Sequence, residues 1–222
     1  MQSPPFPVHH EMEGWTLLWV LLEVAPEADT PEGTALAALR TRSAERARAT
    51  FQSTEALSSD PTVAGLRALF RAAGCDPTRY RPASEALIRR VLKGEELPVI
   101  HPLVDLNNCL SVTLAVPCCV AVEGSFQGPV TLRAGRPGES YESLRGPFNL
   151  EGKPILVDPD GPFDTPITGS QRVKVQEGTR RAWLTAYLPT AVLQAEDAAR
   201  TLEDLLAQAP VARIEAAAGS VS

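Results

Sequence analysis

No apolar stretch in this chain is long enough to span a bilayer: the longest, Trp15–Val24, is ten residues and is interrupted by Glu23. Glu11 and Glu13 precede it, where an export signal would carry positive charge, so no secretory leader is expected. Positive charge is also short overall: the net charge is −6 and the predicted pI is near 5.2. That balance excludes a sequence-wide electrostatic grip on nucleic acid and leaves only a local basic face. The four cysteines, Cys75, Cys109, Cys118 and Cys119, have neither a secreted-scaffold spacing nor that of a zinc site. A reduced cytosol is the expected compartment, with no metal and no membrane partner. The Walker lysine loop, the dinucleotide fingerprint, HExxH and GxSxG are all missing, so nucleotide, zinc-protease and serine-hydrolase chemistry have no support.

What is present suits one large domain. The 222 residues are 44% hydrophobic and 22% charged, enough to bury a sizeable core. Twenty prolines and fifteen glycines announce short elements and many turns. Residues 1–13 read as a flexible leader, 14–208 as a single α+β domain and 209–222 as a flexible tail. Gly14–Val24 reads as a buried strand. Asp29-Thr30-Pro31-Glu32 has the form of a helix start, and the helix it opens runs to about Phe51. Asp60-Pro61 repeats that signal, with Val63, Leu66, Leu69, Phe70 and Ala73 on one stripe before Gly74. Further helices are expected from Pro82 to Gly94 and from Pro102 through Leu110, and a closing one over Thr190–Gln208. Strands are expected at Cys118–Val122, Pro129–Ala134, Pro154–Val157, Arg172–Val175 and Arg181–Leu188.

Four segments carry possible chemistry. From Arg71 to Lys93 there are six basic and two acidic residues. Arg79, Arg81, Arg89, Arg90 and Lys93 suit phosphate contacts, and they suit a solvated helix face as well. Asn107 and Asn108 follow Asp105 and can present amides at a pocket wall or cap local backbone. In Pro117-Cys118-Cys119, a nucleophilic thiol would need a base or positive field, and buried strand cysteines commonly serve as small hydrophobes. The stretch Thr165–Thr179 gathers hydroxyls, Gln171, Arg172 and Lys174 around Gly169, as an oxyanion-binding loop or an ordinary connection would.

Taken in order, these segments resemble the editing domain of the phenylalanyl-tRNA synthetase beta subunit, in the form found in its stand-alone relatives. The resemblance rests on Gly74–Gly94, on His101-Pro102-Leu103-Val104-Asp105 with Asn108, on Pro117, and on Ser170–Thr179. It covers residues 66–188 and implies a sheet-rich α+β core flanked by helices. It also implies an aminoacylated tRNA as partner, no DNA, no cofactor, and hydrolysis of a wrongly attached amino acid. Cys119 stands where the synthetase relatives carry a histidine, and Gln171 where they carry a glutamate. The catalytic set implied is Asn108, Gln171 and Thr179, aided by the Gly169–Ser170 backbone. Asn107, Cys119 and Thr168 complete the pocket. Arg79, Arg81, Arg89, Arg90, Lys93, Arg172 and Lys174 form the tRNA-binding set. An aminoacyl ester is reactive enough that positioned water and oxyanion donors suffice. A non-catalytic module holding a tRNA end or an amino acid is the alternative.

Overall fold

The computed structural model describes residues 4–25 and 34–221. The helix start expected at Asp29-Thr30-Pro31-Glu32 lies outside them. In chain order the described elements are β1 (Val8–His10), β2 (Trp15–Val24), α1 (Thr34–Phe51), α2 (Thr54–Ser59), α3 (Pro61–Ala72), α4 (Ala83–Leu92) and α5 (Pro102–Leu114). Then follow β3 (Cys118–Val122), β4 (Val130–Ala134), β5 (Ser140–Ser143), β6 (Gly146–Asn149), β7 (Pro154–Asp158), β8 (Gly161–Asp164), β9 (Arg181–Pro189), α6 (Ala195–Gln208) and β10 (Ala212–Val221).

The unbroken apolar run of β2 is explained by its position. It lies inside an antiparallel sheet ordered β10-β2-β9-β3 and buries side chains on both faces. Trp19 pairs with Thr185 and Leu21 with Trp183, so Trp19 and Trp183 emerge on one face. There they meet Phe6 edge-on, at 5.2 and 5.3 Å between ring centres. Phe126 and Phe163 stack at 4.6 Å and extend this cluster toward a second sheet, β1-β4-β7-β8. Leu36, Leu39, Leu103, Leu106, Leu110 and Leu202, from α1, α5 and α6, belong to the same core.

Helices α3, α4 and α5 form where caps and apolar stripes predict them. Asp60 accepts from the Thr62 and Val63 N–H groups, and Gly74 and Gly94 follow α3 and α4 with φ of +92°.

Four expectations are corrected. The 209–222 tail is ordered over Ala212–Val221 as β10, hydrogen-bonded along β2 from Val24 to Thr16. Its small residues are what the packing needs: a Cβ at Gly219 would stand 3.2 Å from the Cβ of Ala195 on α6. Within the 1–13 leader, residues 8–10 form β1, parallel to β4, and the half-buried Phe6 packs against the core. Arg172–Val175 is not a strand. Gln171–Val173 is one 3-10 turn, capped by the Ser170 hydroxyl accepting from Arg172 N–H at 3.0 Å. The closing helix starts at Ala195, because Val192 and Leu193 N–H turn back onto the Pro189 carbonyl.

Candidate functional site

Two helices, one sheet edge and one loop enclose a cavity of about 420 Å³, within the range of small-molecule sites. From α4 come Ala83, Ala86, Leu87 and Arg90, and from α5 come Val104, Asn107, Asn108 and Ser111. Each set is spaced i, i+3, i+4, i+7, so each helix turns one stripe toward the same space. The back wall is the edge strand β3, through Cys118, Cys119 and Val120. The loop after β8 closes it with Ile167–Ser170 and Val173–Val175, and the β5–β6 turn adds Leu144 and Arg145.

Buried hydrogen bonds hold these walls together. Asn107 Nδ2 donates to the Cys118 carbonyl at 3.0 Å, tying α5 to the sheet edge. The Ser111 hydroxyl donates to Val116 O at 2.8 Å, and the Tyr141 hydroxyl donates to Thr168 O at 2.6 Å. Upstream of Asn107, the fully buried Asp105 accepts from Ile100 and His101 N–H and pairs with Arg40 of α1 at 2.8 Å. Its carboxyl is raised above the usual carboxylate range, because burial outweighs those hydrogen bonds and Arg40.

Of the site residues expected from sequence, Asn107, Asn108, Cys119, Thr168, Gly169 and Ser170 meet in the cavity, with Arg90 and Lys174. Gln171 and Thr179 do not line it. Gln171 is exposed, its Nε2 3.5 Å from Ser143 O, and the Thr179 hydroxyl accepts from Gln176 N–H at 3.0 Å to close a local turn. The basic residues also divide. Arg89 pairs with Glu85 at 2.9 Å, and Arg81 lies 3.9 Å from the same carboxylate, which Arg67 also reaches. Arg172 is held by Asp158. Arg79 lies over the Tyr80 ring, and Lys93 is exposed just after α4. Among the described residues, Arg90, Arg145 and Lys174 form no ion pair and line the cavity with exposed side chains.

Sequence reasoning missed Asp164. An aspartate between Phe163 and Thr165 at a proline-flanked strand end looks like turn chemistry, and nothing local distinguishes it. In the structure it is buried in the cavity wall and accepts from the Tyr187 hydroxyl at 2.8 Å. Burial raises its pKa to about 7 despite the donors around it. The same burial, then the Asp164 charge, pushes the Cys119 thiol well above its usual range. A thiol held protonated in this way is no nucleophile at neutral pH.

Fold and site together define an α+β protein with a mostly apolar cavity into which two amides, the hydroxyls of one loop and one buried carboxyl open, with exposed cations also lining it. Residues 66–204 match the model of the B3/4 domain family, and the chain belongs to that family. It is 30% identical over 122 residues to the phenylalanine–tRNA ligase beta subunit of Bartonella henselae (strain Houston 1). That match covers 54% of this chain and 15% of the relative, so the chain corresponds to a small part of that subunit. An N-terminal fragment of the phenylalanyl-tRNA synthetase beta-subunit from Pyrococcus horikoshii shares the fold, with a TM-score of 0.50 at 12% identity. The overlap takes in 100% of this chain and 56% of the fragment. No helix among the described residues is long and apolar enough to cross a membrane.

Proposed function

We propose that this chain is an aminoacyl-tRNA deacylase that clears wrongly attached amino acids by water-mediated ester hydrolysis. The observation that carries this reading is the meeting of Asn108 with the Gly169–Ser170 backbone in one cavity large enough for an aminoacyl group. An amide and loop N–H groups can orient an ester carbonyl and stabilise its oxyanion, and the cavity holds no activated nucleophile. The biological need is physical: a pocket rejects a near-isostere by only about 10²-fold, so a second site must remove the errors.

Release of radiolabelled amino acid from a panel of mischarged tRNAs tests the reading. Asn108→Ala is expected to lower turnover about 10²-fold, the cost of losing one oxyanion-orienting donor. Gln171→Ala is expected to match the parent within about twofold, since a solvent-facing substitution outside the cavity leaves the reacting atoms and their neighbours unchanged. Retained binding without release from any substrate would mark a non-catalytic holding module instead.

The three unpaired, exposed cations lining the cavity suit the phosphates of an incoming RNA end. Arg90→Glu with Lys174→Glu should weaken tRNA association and reduce its salt slope by about 2, one for each phosphate no longer neutralised. Arg89→Gln should leave the slope in place, because that guanidinium is committed to Glu85 and the Ser58 hydroxyl. Equal slopes for the parent and the double reversal would remove this face from the reading.

A further inference from the structure

Two buried oxygens in the cavity lack a well-formed hydrogen bond. Asp164 is 3% exposed and its Oδ2 accepts from Tyr187; the Cys119 thiol and Thr165 N–H approach the carboxyl, but Oδ1 is left without a well-formed hydrogen bond. Asn107 is 6% exposed. Its Nδ2 is fixed on the Cys118 carbonyl, which leaves Oδ1 as a second unpartnered acceptor. Both residues line the same cavity, and among the described residues no unpartnered buried side-chain donor lines it. A ligand that completes this site must therefore bring donors, and more than one. A hydroxyl brings a single hydrogen, whereas an ammonium brings three and a positive charge. Asp164 has no ion-pair partner among the described residues, and the cavity's three cations are exposed.

Position in the chain narrows the choice further. Asn107 adjoins Asn108, the residue assigned to the ester. In an aminoacyl ester the α-amine is one carbon from the ester carbonyl, and Asn107 and Asn108 both line the one cavity that would hold the two groups.

We propose that Asp164 and Asn107 bind the α-ammonium group of the aminoacyl substrate, so that the cavity admits esters of free amino acids and excludes those whose amine is acylated. The inference rests on the deacylase reading and adds a selectivity to it: N-formylated and peptidyl esters are spared. Acylation removes the charge and two of the three hydrogens, and adds a carbonyl facing two acceptors. The raised pKa of Asp164 fits this pairing, since one proton shared between carboxyl and amine gives the same contact in ionic or neutral form.

The test compares one amino acid on its tRNA with the amine free and with it acetylated, each rate divided by that in buffer. The free-amine ester is expected to turn over about 30-fold faster relative to buffer, the worth of a hydrogen bond to a charged group. Asp164→Asn, nearly isosteric, should bring the two substrates within about threefold, mainly by slowing the free-amine ester. A parallel arm measures calorimetric binding of 3′-aminoacylamino-adenosine, a stable amide, against its N-acetyl form. Equal relative rates in the parent protein would overturn the amine site and leave the deacylase standing. If neither ester is released, the deacylase reading fails and the calorimetry decides the amine site alone. A tenfold or greater preference for the free amine keeps it, and equal or absent binding ends it. Should Asp164→Asn not fold, the two comparisons on the parent protein still decide.

Discussion

Replacing Arg40 with alanine should cost about 3–5 kcal/mol of unfolding free energy, the usual result of removing one partner from a buried ion pair. The Asp105 side chain is fully buried and the Arg40 side chain only 10% exposed, so water cannot take the place of the guanidinium. Desolvation already raises the Asp105 pKa with Arg40 present, which shows that the pair itself is held at a cost. Losing the arginine raises that pKa further. A carboxyl with a raised folded pKa destabilises as pH climbs through its titration, so the Arg40→Ala deficit should be smaller at pH 5 than at pH 8. Arg40→Met with Asp105→Asn should recover much of the loss, since the asparagine oxygen still accepts from Ile100 N–H and no charge is left buried. Urea unfolding of these three proteins at pH 5 and pH 8 measures the deficit and its recovery. An Arg40→Ala deficit under 1 kcal/mol, independent of pH, would show that Asp105 is not held as the geometry indicates. The pair also explains why an aspartate follows Leu103 and Val104. It fastens the start of α5 to α1 and to the Ile100–His101 backbone, and so sets where Asn107 and Asn108 point.

How much of this was legible in the sequence depended on whether the signal was local. The starts of α3, α4 and α5 and the stops of α3 and α4 were readable because caps, prolines, glycines and apolar stripes act within a few residues; the end of α5 at Leu114, before a left-handed Ala115, was not. That Asn107, Asn108 and Thr168–Ser170 would meet at one cavity was legible because a family-like segment carries them together. The strand β10 was not readable: Ala216, Ala217, Ala218 and Gly219 have little intrinsic preference for a strand. They form one because β2 offers a free edge and α6 tolerates only small neighbours. Gln171 was misplaced for a related reason. Loop residues in sequence order need not share a face, and the capped turn at Ser170 rotates Gln171 out while keeping Val173 in.

The basic segment shows the same division between composition and geometry. Its charge pattern marks Arg79–Lys93 as positive but cannot say which guanidiniums are free. Glu85, fully buried, gathers Arg67, Arg81 and Arg89 around one carboxylate. Those contacts brace α3 against α4. Arg90, one residue and about 100° further round the helix, turns to the cavity instead. One helix thus supplies a structural cluster on one side and a ligand-facing cation on the other.

Asp164→Asn should change the pH dependence of stability by about 4 kcal/mol. The carboxyl is raised by burial from 3.8 to about 7 in the folded chain, and each unit is worth about 1.4 kcal/mol. Below about pH 4 the group is protonated in both states and has no effect. Between about pH 4 and 7 the unfolded chain releases its proton while the folded chain keeps it, so stability falls as pH rises. Above pH 7 the penalty is constant. The asparagine variant carries none of this, so its stability relative to the parent should rise through that window and then level off. Arg90, Arg145 and Lys174 also line the cavity, but none of them is among the causes of the Asp164 shift. Tyr141, Tyr187 and Cys119 are pushed upward, away from the window. Urea unfolding of both proteins at pH 4.5 and pH 8.5 gives the answer, and a difference between them that stays constant with pH would place Asp164 in a far wetter setting than its burial describes. The penalty at neutral pH also has a use: a cation entering the cavity meets a carboxyl that folding has left short of partners. The stable free-amine analogue should therefore raise the melting temperature of the parent protein more than that of Asp164→Asn, and its N-acetyl form should raise the two alike.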